Sequence, residues 1–212
     1  YEAVVLDVDG TIVRGEELLP GVIDGLRALE AAGCSRLLFS NNPTRGADHY
    51  REKLTPHGID IDPRAVLTSA TVSAEYIAAT HPDEHVFLVG DGRLETILED
   101  AAVELTSDPE AAEVVLGSFD REFSFETLWK SLRALEGAIP FYGTDPDATI
   151  PIDEGEIPGT GAILAAMEAV AGREPDAILG KPSSVAATAA IDRLDADPAN
   201  TLVVGDRLNT DI

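Results

Sequence analysis

Hydrophobic residues along this chain come in short blocks, and each block ends in a polar or glycine-bearing segment. Residues 3–8 are apolar apart from Asp7, the pattern of a strand buried on both faces of a parallel sheet. Val22, Leu26 and Leu29 then recur at helical spacing between Pro20 and Gly33, the residue types that open and close a helix. A second strand is predicted over 36–39, and helices over 47–54 and 69–79. Residues 86–90, 114–117 and 139–142 read as three further strands, with helices over 93–100 and 125–136 between them. A loop rich in Pro, Asp and Gly covers 144–158, and an apolar-faced helix follows over 161–171. Short buried strands are expected at 177–179 and 201–204, separated by a helix over 184–194. Alternating strand and helix predicts an α/β fold, a doubly wound, Rossmann-like parallel-sheet core. The core is assigned to residues 1–81 and 177–212, and a second α/β domain, over 82–176, is inserted into it. An α/β unit should add another helix after residue 211, so the native protein is expected to continue beyond Ile212.

Composition narrows the setting. A net charge of −24 on 212 residues, with Lys53, Lys130 and Lys181 the only lysines, repels nucleic acid and anionic lipid. Such a surface suits molar salt, where charges are screened within ~3 Å, and points to a halophilic, archaeal source. The apolar runs fall far short of the ~18 residues of a membrane span. Cys34 is the single cysteine, which excludes an internal disulfide and agrees with a reducing cytoplasm.

Four segments placed after predicted strands carry the chemistry: Asp7-Val8-Asp9-Gly10-Thr11, Ser40-Asn41-Asn42, Gly180-Lys181-Pro182-Ser183 and Gly205-Asp206-Arg207-Leu208-Asn209-Thr210-Asp211. Loops at the carboxyl ends of parallel strands converge on one crevice. Phosphoryl transfer needs a nucleophile, a cation on the phosphate oxygens and donors around them. Asp7 is the candidate nucleophile, and Asp9 the candidate acid and base. Ser40, Asn41 and Asn42 are candidate donors to a phosphoryl group, and Lys181 adds a fixed positive charge. Asp7, Asp9, Asp206 and Asp211 offer hard oxygen ligands suited to Mg²⁺.

This order of motifs resembles the haloacid dehalogenase-like superfamily, and the likeness extends over essentially the whole chain. It implies that Asp7 is nucleophile and metal ligand, that Asp9 is acid and base with its backbone carbonyl on the metal, and that Thr11 orients Asp9. Asp206 completes the metal site and Asp211 supports it. The second aspartate, absent from dehalogenase members, favours hydrolysis of a phosphate monoester. Too few residues separate Asp7 from Ser40 to hold an inserted domain, whereas the stretch from Ser40 to Lys181 holds one. That placement is similar to the type II-capped branch of sugar phosphatases, 4-nitrophenylphosphatases and phosphoglycolate phosphatases. Segments 115–124, 144–147 and 158–161 carry the likeness into the cap. The branch implies that position 145 and Thr160 face substrate. It usually has Asn after the threonine, so Asp145 is expected to present an anion to the pocket and disfavour acidic substrates.

The expected activity is therefore Mg²⁺-dependent hydrolysis of a small phosphorylated metabolite through an aspartyl phosphate. Two other readings use the same residues, a phosphotransferase or mutase and a non-catalytic phosphometabolite-binding protein. A calcium loop starting at Asp7 is excluded, because it needs Gly at its sixth position and Glu at its twelfth, where this chain has Ile12 and Leu18. Gly90-Asp91-Gly92 imitates the fourth segment without a carboxylate five residues beyond Asp91, and is expected to be a strand-to-helix turn. The four histidines show no metal-ligand spacing and are read as surface or local structural residues. Trp129 and Leu132 are expected to pack in the core, and the exposed sheet of the cap to support a homodimer.

Overall fold

Alternation along the first strands decides which helices lie on each side of a parallel sheet, in a computed structural model that describes residues 1–15, 17–152 and 155–211. Ile212 lies outside the described residues. The first segment contains β1 (Ala3–Asp7), the small hairpin β2 (Val13–Arg14) and β3 (Glu17–Leu18), α1 (Val22–Ala31), β4 (Ser35–Ser40), α2 (Ala47–Leu54), β5 (Val66–Thr68) and α3 (Ser69–Thr80). The middle segment contains β6 (Val86–Val89), α4 (Gly92–Asp100), β7 (Leu105–Thr106), β8 (Val114–Gly117), α5 (Phe125–Ala134), β9 (Phe141–Gly143), β10 (Thr149–Ile152), β11 (Gly155–Pro158), α6 (Thr160–Ala171) and β12 (Ala177–Ile178). Then follow α7 (Ser184–Leu194), β13 (Thr201–Val204) and the short α8 (Leu208–Asp211).

The first sheet has the order β13-β1-β4-β5 and is parallel throughout. Val4, Leu6 and Leu38 point to one face, where Leu26 of α1 and Tyr50 and Leu54 of α2 cover them. Val5, Leu37 and Phe39 point to the other, against Ala186 and Ala190 of α7. Successive strand side chains face opposite ways, so two helical layers are required.

The second sheet, β12-β9-β8-β6-β7, is also parallel and likewise buried on both faces. Ala70, Ala74 and Ile77 of α3 join its core on one side, while Val72 of the same helix packs with the first sheet. A helix buried against two sheets has no polar stripe, and α3 ties the two halves together. No helix among the described residues is long and apolar enough to cross a membrane.

Several expectations need correction. Ala177 and Ile178 do not resume the first sheet but pair with Tyr142 and Gly143, so the second sheet extends past residue 176. The stretch 144–158 is not a plain loop, since it contains the antiparallel β10–β11 pair. Among the described residues β13 pairs with β1 alone, and Leu202, Val203 and Val204 are more than a third exposed rather than buried. Trp129 is 52% exposed, because α5 turns Ser131 and Ala134 inward instead. The turn expected at Asp91 is present: its carboxylate caps α4 by accepting from the N–H groups of Arg93 and Leu94.

Candidate active site

Parallel register brings three of the four chemical segments to one end of the first sheet. Asp7 is paired with Phe39 and Leu6 with Val204, so Asp7, Ser40 and Gly205 lie side by side where β1, β4 and β13 end. The fourth segment is tied on by Asn41, whose side chain clamps the backbone of Lys181 at two points. Its Oδ1 accepts from the Lys181 N–H at 2.9 Å and its Nδ2 donates to the Lys181 carbonyl at 3.0 Å. Asn41 therefore acts on Lys181 with both side-chain groups, using its Oδ1 and one of the two Nδ2 protons.

Lys181 is buried, and its Nζ bridges two carboxylates, Asp7 Oδ1 at 2.7 Å and Asp211 Oδ1 at 2.6 Å. Asp7 is 7% exposed, and burial pushes its pKa up to about 6 even though Lys181 pulls the other way. Asp211 is also buried, and its Oδ2 accepts from the N–H of Arg207 at 3.0 Å. Carboxylate oxygens of Asp7, Asp206 and Asp211 all lie within 4.8 Å of one another.

Two glycines make this crowding possible. Gly10 has φ +106°, outside the range of ordinary side chains, and a Cβ there would strike the Asp206 carboxylate. A Cβ at Gly205 would strike the carboxylate of Asp211.

The carboxylate group fits a divalent cation. Asp7 Oδ2 is buried with no hydrogen-bond partner among the described residues, and an orphaned buried oxygen is costly unless something binds it. All the donors are hard oxygens, as Mg²⁺ requires. Asp7 and Asp206 would hold the ion directly. Both oxygens of Asp211 already have protein partners, which suits a supporting role.

Asp9 is exposed and its side chain is outside this group. Its Oδ2 instead accepts from Ser40 Oγ at 2.7 Å. Ser40 is fully buried and also accepts from the Asn42 N–H at 3.0 Å and the Tyr50 hydroxyl at 2.9 Å. In this arrangement Ser40 holds Asp9, and it reaches a phosphoryl oxygen only if that bond is released. Thr11, expected to orient Asp9, makes only a backbone bond to the Val8 carbonyl among the described residues. Asn42 directs its Oδ1 to Thr44.

The cap residues also differ from expectation. Asp145 is 2% exposed and presents no anion to a pocket. Its Oδ2 accepts from the hydroxyls of Thr160 (2.7 Å) and Thr144 (3.0 Å), and its Oδ1 accepts from the Asp147 N–H. Thr160, fully buried, follows the N-cap Gly159 and serves Asp145 rather than open space. Beyond this network, Asp147 pairs with Arg207 at 3.1 Å and so joins the cap to the fourth segment. The sequence did not single out Tyr50, and Asp147 and Arg207 stood there only as members of their segments. The signal for Tyr50 was its place four residues before Leu54, on the buried face of the helix Ala47–Leu54, since a buried phenol needs a polar partner.

Desolvation pushes the Asp145 pKa from 3.8 up to about 7. Between those values the folded chain holds a proton that the unfolded chain has released, so this group's stabilisation is complete below 3.8 and is lost as pH rises through about 7. Asp145→Asn should remove that slope, at most ~1.4 kcal/mol per pH unit. Denaturation in molar KCl should show the variant gaining on the wild type between pH 4 and 7, with a constant gap above. A gap independent of pH would contradict the assignment.

Comparison with known proteins follows the same lines. Residues 4–104 match the family described as haloacid dehalogenase-like hydrolase, and residues 178–212 a second, HAD-hydrolase-like description. An acid sugar phosphatase of Staphylococcus epidermidis is 33% identical over 212 residues, 100% of this chain and 81% of that protein. The solved p-nitrophenyl phosphatase from Archaeoglobus fulgidus superposes with a TM-score of 0.94 at 33% identity, covering 99% of this chain and 80% of that one. A glycerol phosphate phosphatase from Mycobacterium tuberculosis, solved in complex with magnesium, has a TM-score of 0.88 at 27% identity and covers 100% of this chain and 63% of the other.

Proposed function

We propose that this chain, which belongs to the haloacid dehalogenase-like hydrolase family and is a phosphoric monoester hydrolase, cleaves small phosphate monoesters through an aspartyl phosphate on Asp7 with Mg²⁺ bound beside it. The observation that carries this reading is the meeting of Asp7, Lys181, Asp206 and Asp211, drawn from three distant segments, at one strand end. Sugar phosphates, phosphoglycolate, glycerol phosphate, nucleoside monophosphates and 4-nitrophenyl phosphate form the candidate substrate class. Acid sugar, p-nitrophenyl and glycerol phosphate phosphatases among the similar proteins support that range.

The chemistry divides between the two aspartates of the first segment. An oxygen of Asp7 forms a bond to phosphorus while the bond from phosphorus to the leaving oxygen breaks, and Asp9 delivers a proton to that oxygen. In the second half Asp9 takes a proton from the attacking water, the bond between phosphorus and Asp7 breaks, and inorganic phosphate leaves. Lys181 holds Asp7 in place and supplies positive charge to the phosphoryl oxygens. Mg²⁺, when bound by Asp7 and Asp206, supplies further charge neutralisation, as the magnesium complex of the mycobacterial relative supports. Resemblance to the family adds the backbone carbonyl of Asp9 to that set.

A screen of small phosphoesters in molar KCl with Mg²⁺ should release inorganic phosphate, and EDTA should abolish the release. Transfer of phosphate to an added alcohol in place of free phosphate would identify a phosphotransferase instead. The acidic, single-cysteine composition supports assay under reducing, cytoplasm-like conditions. The homodimer expected through the cap is tested by measuring the mass of the same preparation in solution.

A further inference from the structure

We infer that Tyr50 is a positioning residue which acts through Ser40 to fix the Asp9 carboxyl group toward the leaving oxygen. The inference rests on the acid role proposed for Asp9 and extends the site to a helix that carries none of the four motifs. Ser40 Oγ has three polar neighbours: Asp9 Oδ2 at 2.7 Å, the Asn42 N–H at 3.0 Å and the Tyr50 hydroxyl at 2.9 Å. A serine hydroxyl has one proton and two lone pairs. The backbone N–H of Asn42 can only donate and occupies one lone pair. With the Tyr50 proton on the other, the Ser40 proton has a single acceptor, Asp9.

Tyr50 is well placed to hold that polarity. It is 3% exposed, inserted from α2 into the core beneath the first sheet, and the His49 ring meets it edge to face at 5.1 Å. Burial first, and then the nearby Asp9 charge, push the phenol pKa well above its ordinary value, so the group remains a donor. Asp9 needs such support because it is exposed, and Ser40 provides the one side-chain hydrogen bond to its carboxyl group among the described residues. An acid held in one orientation spends a larger share of its time within reach of the leaving oxygen.

The test compares Tyr50→Phe with the wild type on two substrates in Mg²⁺ and molar KCl, reading kcat/KM, which reports the steps up to departure of the leaving group. Nitrophenolate leaves with little help from a proton, whereas an alkoxide such as that of glycerol phosphate needs it. The variant is expected to lose about tenfold on glycerol phosphate and less than about twofold on 4-nitrophenyl phosphate. Ser40→Ala, which cuts the same chain at its middle, should reproduce that split, and Tyr50→Phe added to Asp9→Asn should cost nothing more. Equal losses on both substrates, or no loss in a folded variant, would overturn the inference. If Tyr50→Phe fails to fold, the split in Ser40→Ala decides. A wild type inactive on both substrates would instead overturn the phosphatase reading and this inference with it.

Discussion

Asp7→Asn is expected to lower kcat by at least about 10⁴-fold with Mg²⁺ saturating, the largest single-residue loss in the molecule. The substitution keeps the shape of the side chain and replaces a nucleophilic oxygen with an amide. It also removes a charge whose burial already pushes its pKa up to about 6, so the folded state has little reason to suffer. Lys181 retains Asp211 as a partner at 2.6 Å. A thermal midpoint near that of the wild type, together with retained affinity for inorganic phosphate, would assign the loss to chemistry rather than to unfolding. Wild-type turnover in the variant would falsify the covalent route, because an amide at position 7 has no carboxylate oxygen with which to form the aspartyl phosphate.

Legibility followed the range of the interactions. Strands β1, β4, β6 and β8 were readable because a strand covered on both faces is a continuous apolar run, and Ala3–Asp7 is buried at every position. The three residues of β5 carry no period to detect. Ala177 and Ile178 are apolar in either sheet, and only pairing with β9 decides between them. At the site, the four segments stood out because each joins polar residues to the end of an apolar run. The burial of Asp145 was not readable, since its partner Thr160 is distant in sequence. The Asn41 clamp shows the same limit, since Lys181, which it holds, is distant in sequence.

Lys181→Met is expected to reduce kcat by about 10³-fold and, unlike Asp7→Asn, to destabilise the fold. The ammonium is the shared partner of Asp7 and Asp211, and all three groups are buried. Removing one member of a buried ionic set leaves the others uncompensated, at a cost of about 3–5 kcal/mol. A divalent cation bound by Asp7 and Asp206 would replace part of the lost charge, and at a concentration 100 times its Kd would return up to ~2.7 kcal/mol. The thermal midpoint of the variant should therefore rise steeply with Mg²⁺ and remain low in EDTA, with a larger difference than the wild type shows. Activity should not recover with it. The Asn41 clamp sets the ammonium on the strand-end carboxylates by holding the backbone of residue 181, and no mobile ion reproduces that placement. A Lys181→Met variant whose stability ignores Mg²⁺ would argue that the carboxylate group does not hold the ion at all.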